Sequence, residues 1–209
     1  MSHDSALLFF PGLAMTPGHV EEACFADALA DAGHAVDLVV PPIDSGRYAV
    51  ADGIAELHRE WVAPLRARYR NLWLGGISMG GFLAMALTAD HPGDADGLCL
   101  IAPYPGNRLT QGAIKEAGGP GVWQPSEEQL RDPEFRVWHW LRTAPDLPVF
   151  WGYGSDDRFA DGMALLGSVL PPAAHHVRPG GHDWPVWQQL WQDFLDEAWL
   201  KKSVEVSVR

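Results

Sequence analysis

Six short apolar runs recur along the chain with helix-patterned segments between them, and this alternation restricts the fold more than any other feature. The runs are ALLFF (6–10), AVDLVV (35–40), NLWLGG (71–76), GLCLIA (97–102), LPVFWGY (147–153) and AAHHVR (173–178). Five of them are more apolar than alternating, which suits strands of a parallel sheet covered on both faces. Between the first two, TPGHVEEACFADALADAG (16–33) offers Thr16 as an N-cap, Pro17 in the first turn, Val20, Cys24 and Ala28 at helical spacing, and Gly33 as a stop. Segments 48–69, 79–90, 159–169 and 184–200 follow the same logic. Strand-helix alternation with right-handed crossovers predicts an α/β fold: a doubly wound, mostly parallel six-stranded sheet with helices on both faces.

One region breaks the rhythm. Residues 103–146 contain PYPGNRL, GGPGVWQP and the Trp-rich FRVWHWLR, with many helix breakers and no convincing strand. This segment reads as an insertion over the sheet edge, either a small lid over a pocket or a packed helical excursion. The chain has 209 residues, 47% hydrophobic and 20% charged, enough for one well-buried core, so a single domain is expected over 1–200 with KKSVEVSVR (201–209) as a tail.

Charge narrows the choice of partners. Lys and Arg number 15 against 27 Asp and Glu, a net charge of -12, which repels nucleic acid and anionic membrane surfaces. The opening MSHDSALLFFPG lacks a basic n-region and its apolar run is short for a signal peptide, so a cytoplasmic location is expected. Cys24 and Cys99 make no disulfide framework and read as buried reduced thiols.

The run LWLGGISMGGFLAMAL, Leu72 to Leu87, places one hydroxyl between glycines at the junction of a strand and a helix. There, Ser78 would sit at the carboxyl edge of the sheet, where open α/β sheets bind ligands. So tight a turn brings strand and helix close together, which calls for Gly76 and Gly80, and it points the amino end of the following helix at the serine. A serine hydroxyl is a poor nucleophile without a base and a third group that orients the base. Downstream, GSDDRF places Asp156 and Asp157 beyond one strand, and PGGHDW places His182 beyond the next. The order Ser, Asp, His, each on a loop after a strand, is the order this kind of sheet needs to bring the three together.

LWLGGISMGG, YGSDDRF and PGGHDW resemble the nucleophile elbow, acid loop and histidine loop of the α/β-hydrolase superfamily, over nearly the whole chain. The resemblance implies Ser78 as nucleophile, His182 as general base and acid, and Asp157 as the orienting acid, since Gly154-Ser155-Asp156-Asp157 matches the Gly-x-x-Asp loop; Asp156 is the fallback. It also implies an oxyanion hole from the backbone of Leu13 and Met79, although FFPGLAM has Pro11 where the family places a histidine. The two leading strands of larger members are missing, so a compact six-stranded version is expected.

Other motifs compete poorly. There is no His-Glu-x-x-His or Cys-x-x-Cys, and His175, His176 and His182 lack the spacing of a zinc site, so no metal is expected. The elbow lacks a P-loop lysine and a dinucleotide-binding glycine pattern, so no phosphate cofactor is expected. Trp138, Trp140, Trp151 and Trp184 are candidate walls of an apolar substrate pocket. The resulting expectation is a serine hydrolase acting on a small-molecule ester or thioester. Acyl transfer or cofactor-free perhydrolysis with the same triad is one rival, and a non-catalytic binding module is the other.

Overall fold

A computed structural model describes residues 3–143, 146–170, 175–197 and 200, and within them the apolar runs become six strands. These are β1 (Ser5–Phe10), β2 (Val36–Val39), β3 (Asn71–Ile77), β4 (Gly97–Ile101), β5 (Val149–Gly154) and β6 (His175–Arg178). All neighbouring strands pair in parallel, in the order β2-β1-β3-β4-β5-β6. Every residue of β1, β3, β4 and β5 is buried, as expected of strands covered on both faces, whereas the edge strands β2 and β6 are four residues long and partly exposed. Residues 173 and 174 of the sixth expected strand lie outside the described residues, as does the 201–209 tail.

Helices cover the sheet. They are α1 (Pro17–Glu22), α2 (Phe25–Asp31), α3 (Ser45–Tyr48), α4 (Ala51–Leu57), α5 (Ala63–Arg68), α6 (Met79–Asp90), α7 (Arg108–Glu116), α8 (Pro133–Arg142), α9 (Ala160–Leu166) and α10 (Trp184–Asp196). Helix α6 is buried without a break from Gly80 to Thr88, which explains why GGFLAMALT has no polar stripe. Burying Phe82, Leu83, Met85 and Leu87 there stabilises the fold by roughly 1.5–3 kcal/mol each. Among the described residues no helix is long and apolar enough to cross a membrane.

One expected helix is broken and another runs on through a π-helical turn. The 16–33 segment divides at Cys24, whose φ of 60° is left-handed, so the buried stripe runs Val20, Phe25, Leu29 instead of Val20, Cys24, Ala28. Cys24 is consequently exposed, correcting its reading as a buried thiol, while Cys99 in β4 is fully buried and its thiol is pushed well up by burial. The 48–69 segment consists of α4 and α5 joined by a π-helical turn, His58–Val62, and the neighbouring α3 begins at Ser45.

Helices α7 and α8 occupy the 103–146 insertion, of which residues 144 and 145 are not described. Helix α8 packs on α6: Val137, Trp138 and Leu141 are buried, and Arg136 Nε meets Asp90 Oδ1 at 2.7 Å. Trp123 stacks on Phe135 with ring centroids 5.7 Å apart, and Glu134 Oε2 accepts hydrogen bonds from Asn107 N (2.8 Å) and Thr110 Oγ1 (2.7 Å). The α8 half is thus a packed helical layer, and the α7 half borders open space.

Candidate active site

The strand order changes direction between β1 and β3, because the chain runs outward from β1 to β2 and then returns to lay β3 on the other side. A crevice forms at the carboxyl ends of the strands at such a switch point. Ser78 directly follows β3, and the turn Gly12–Met15 follows β1, so both border this crevice.

Ser78 adopts φ 54° and ψ -115°, a conformation that costs a non-glycine residue about 1–3 kcal/mol. Three backbone hydrogen bonds hold it there: Ser78 N–H donates to the Ile101 carbonyl (3.0 Å), and the Ser78 carbonyl accepts from Tyr104 N (2.9 Å) and Phe82 N (3.2 Å). The flanking glycines have direct causes. A Cβ on Gly80 would lie 2.0 Å from the Phe10 carbonyl oxygen, and one on Gly76 would lie 2.5 Å from both Phe10 O and Gly80 C. Only glycine lets α6 start this close to β1 and β3.

The loops after β5 and β6 are joined backbone to backbone. Ser155 N donates to Arg178 O (2.8 Å) and Asp156 N to Gly180 O (2.9 Å), while a Cβ on Gly154 would stand 2.3 Å from Gly180 O. This places Asp157 inward, with its side chain fully buried, and leaves Asp156 on the surface. Asp157 Oδ1 accepts from Phe159 N (2.8 Å), and Oδ2 stands 2.6 Å from His182 Nδ1. A carboxylate only accepts, so Nδ1 of a neutral His182 carries the proton and Nε2 presents its lone pair to Ser78 Oγ, 2.9 Å away. Phe159 and Trp187 meet the imidazole edge-on, with centroids at 5.4 and 5.1 Å, and limit its rotation.

Among the described residues, neither of the two backbone N–H groups expected as oxyanion donors has a hydrogen-bond acceptor. Leu13 is the second residue of the Gly12–Met15 turn, whose own hydrogen bond (Met15 N to Gly12 O, 3.1 Å) leaves the Leu13 N–H unused. Met79 opens α6, so its N–H has no intrahelical acceptor. The twelve-residue α6 adds the positive end of its dipole at the same place.

The tryptophans divide. Trp138 and Trp151 are 1% and 0% exposed and belong to the core, so neither forms a wall of an open pocket. Trp138 donates its indole N–H to Pro105 O (3.1 Å), and Trp151 stacks on His175 at 4.1 Å. Trp140 and Trp184 are half-buried at the margin of the core, Trp184 against Phe25 and Trp187.

The three histidines late in the chain do not converge. His175 and His176 are successive strand residues with opposite outlooks, stacked on Trp151 and Phe150 respectively, and His182 is engaged by Asp157 and Ser78. A different group, His58, His91 and Asp94, offers one ligand atom each within 4.8 Å at the far end of α6. Its imidazoles lie nearly parallel at 3.5 Å and 11°, so their in-plane lone pairs do not aim at one point, and Asp94 Oδ2 already holds His58 Nε2 at 2.7 Å. Burial and the neighbouring His58 hold the His91 imidazole below the usual histidine range.

One feature escaped sequence reasoning. Next to Ser78 and His182 is a cavity of about 560 Å³ between the loop after β4 and the loop after β5, lined among others by Tyr104, Arg108, Lys115, Arg158 and Phe159. These residues are some fifty positions apart in the sequence, and only the sheet order brings them together. Burial, followed by the Glu134 carboxylate, pushes the Tyr104 phenol up to about 12.

No protein-family model and no curated protein matches the chain. Solved structures do. The fluorophosphonate-binding serine hydrolase F of Staphylococcus aureus superposes with a TM-score of 0.65 at 15% identity, over 96% of this chain and 84% of that one. An S-formylglutathione hydrolase from Agrobacterium tumefaciens gives 0.60 at 14% identity over 94% and 83%, and a monoacylglycerol lipase from Paleococcus ferrophilus gives 0.61 at 13% identity over 94% of both chains.

Proposed function

We propose that this chain, which has the α/β-hydrolase fold, is a serine hydrolase that cleaves a carboxylic ester or thioester of small to medium acyl size. The observation that carries this reading is the unbroken chain from Ser78 Oγ through His182 to the buried Asp157, at 2.9 and 2.6 Å. The similar structures bear the names serine hydrolase, hydrolase and lipase, in keeping with it.

The chemistry follows from these contacts. Ser78 Oγ attacks the carbonyl carbon while its proton passes to His182 Nε2, and Asp157 stabilises the imidazolium that forms. The carbonyl oxygen, now negative, takes hydrogen bonds from Leu13 N–H and Met79 N–H, backbone donors that make no other hydrogen bond among the described residues. His182 returns the proton to the departing alcohol or thiol as the C–O or C–S bond breaks. Water, deprotonated by the same imidazole, then attacks the acyl group on Ser78 and releases the acid. Location in the cytoplasm belongs to the same reading and agrees with two free thiols, Cys24 and Cys99.

The pH dependence tests the role of the imidazole. Only the neutral ring accepts the Ser78 proton, so kcat/KM for 4-nitrophenyl acetate is expected to fall in acid. A profile that does not change with pH contradicts histidine as the base.

A further inference from the structure

The cavity beside the triad has a charge opposite to that of the protein. In the whole chain 27 acidic residues outnumber 15 basic ones, yet the cavity lining holds Arg108, Lys115 and Arg158 against the single acid Asp161. Arg108, Gln111 and Lys115 stand at i, i+3 and i+7 of α7, so one helix face turns all three toward the cavity. Arg158 directly follows Asp157, and its guanidinium lies over the Phe159 ring, 4.8 Å from the centroid, a stacking contact that leaves its in-plane N–H donors free.

Four other arginines, Arg47, Arg66, Arg136 and Arg178, are each neutralised by a carboxylate, whereas Arg59, Arg68, Arg70, Arg131 and Arg142 meet no carboxylate among the described residues. Among the described residues Arg108, Lys115 and Arg158 meet none either. Three uncompensated cations around one concavity of about 560 Å³ raise the local potential in a protein whose overall field repels anions. The cavity is also within reach of the chemistry. Tyr104, in its wall, donates its N–H to the Ser78 carbonyl (2.9 Å), and Phe159, in the same wall, meets His182 edge-on at 5.4 Å. Two residues of its lining thus touch Ser78 and His182 directly.

We infer that this cavity binds an anionic oxygen group, carboxylate or phosphate, carried by the ester or thioester whose carbonyl reaches Ser78. The inference rests on the serine hydrolase reading and narrows its substrate class: the scissile acyl compound is negatively charged at physiological pH. Arg108, Lys115 and Arg158 are specificity-determining groups in this account, contributing charge-assisted hydrogen bonds to the end of the substrate remote from the carbonyl.

Two pairs of esters test it. Mono(4-nitrophenyl) glutarate is compared with 4-nitrophenyl valerate for an anion on the acyl side, and 3-carboxyphenyl acetate with phenyl acetate for an anion on the alcohol side. In at least one pair the anionic ester is expected to have about tenfold higher kcat/KM, with the difference in KM, and added salt should erode the preference. Arg158→Gln and Arg108→Gln, both at exposed positions, should each reduce the anionic-to-neutral ratio about three- to tenfold. Equal kcat/KM within both pairs, or a preference untouched by both substitutions, overturns the inference and leaves the hydrolase reading standing. Absence of Ser78-dependent hydrolysis of all four esters overturns both.

Discussion

Ser78→Ala and His182→Gln are each expected to lower kcat for ester hydrolysis by about 10⁴- to 10⁶-fold, with a folded protein remaining. Each removes one end of the 2.9 Å contact between Oγ and Nε2 through which the proton must move. Neither changes the packing of β3 on α6, which depends on Gly76 and Gly80. Glutamine suits the second variant because its amide can still donate to Asp157, whereas alanine would leave Oδ2 of the buried carboxylate unpaired and confuse loss of stability with loss of catalysis. The double variant should be about as inactive as either single one, since the two residues act as a unit. Circular dichroism and melting temperature alongside the rates separate the two effects, and a variant that keeps more than about a tenth of the activity would break the proposed proton path.

Asp157→Asn is expected to reduce kcat by about 10⁴-fold, and Asp156→Asn by less than about threefold. The carboxylate at 157 accepts the Nδ1 proton at 2.6 Å and so keeps the Nε2 lone pair on Ser78. An amide can present its NH₂ to Nδ1 instead and favour the wrong tautomer. Asp156 faces solvent, and only its backbone, through N–H to Gly180 O, contributes to the loop. Equal losses from the two substitutions would show that the orientation of the imidazole is not set by Asp157.

The contrast between these neighbouring aspartates shows how far the sequence can be read. Two acids after a strand are chemically equivalent on paper, and the preference for Asp157 came from the Gly-x-x-Asp resemblance. The structure supplies its cause: Gly154 must approach the backbone of Gly180 and Gly181, and the turn that follows buries the third residue after it. The strands were legible because β1, β3, β4 and β5 are buried on both faces and hence apolar at every position. The break at Cys24 was not, since no glycine or proline marks it and the run Val20, Cys24, Ala28 has ordinary helical spacing. Trp138 and Trp151 read as candidate pocket walls yet lie in the core, because an apolar ring carries no sign of whether the space beyond it is open or filled. The cationic cavity was invisible for a topological reason. Arg108 and Arg158 meet only because β4 and β5 are adjacent strands and the α7 and α9 connections leave from the same edge.

Covalent capture tests the central claim most directly. An alkyl fluorophosphonate incubated with the folded protein, followed by proteolysis and mass spectrometry of the peptide spanning Leu72 to Leu87, reports which hydroxyl is activated. Stoichiometric phosphonylation of Ser78 is expected, abolished in Ser78→Ala and strongly slowed in His182→Gln, because His182 Nε2 stands within hydrogen-bond reach of that oxygen and is itself held by the buried Asp157. Labelling that persists undiminished in Ser78→Ala, or a wild-type protein that stays unmodified, would contradict it.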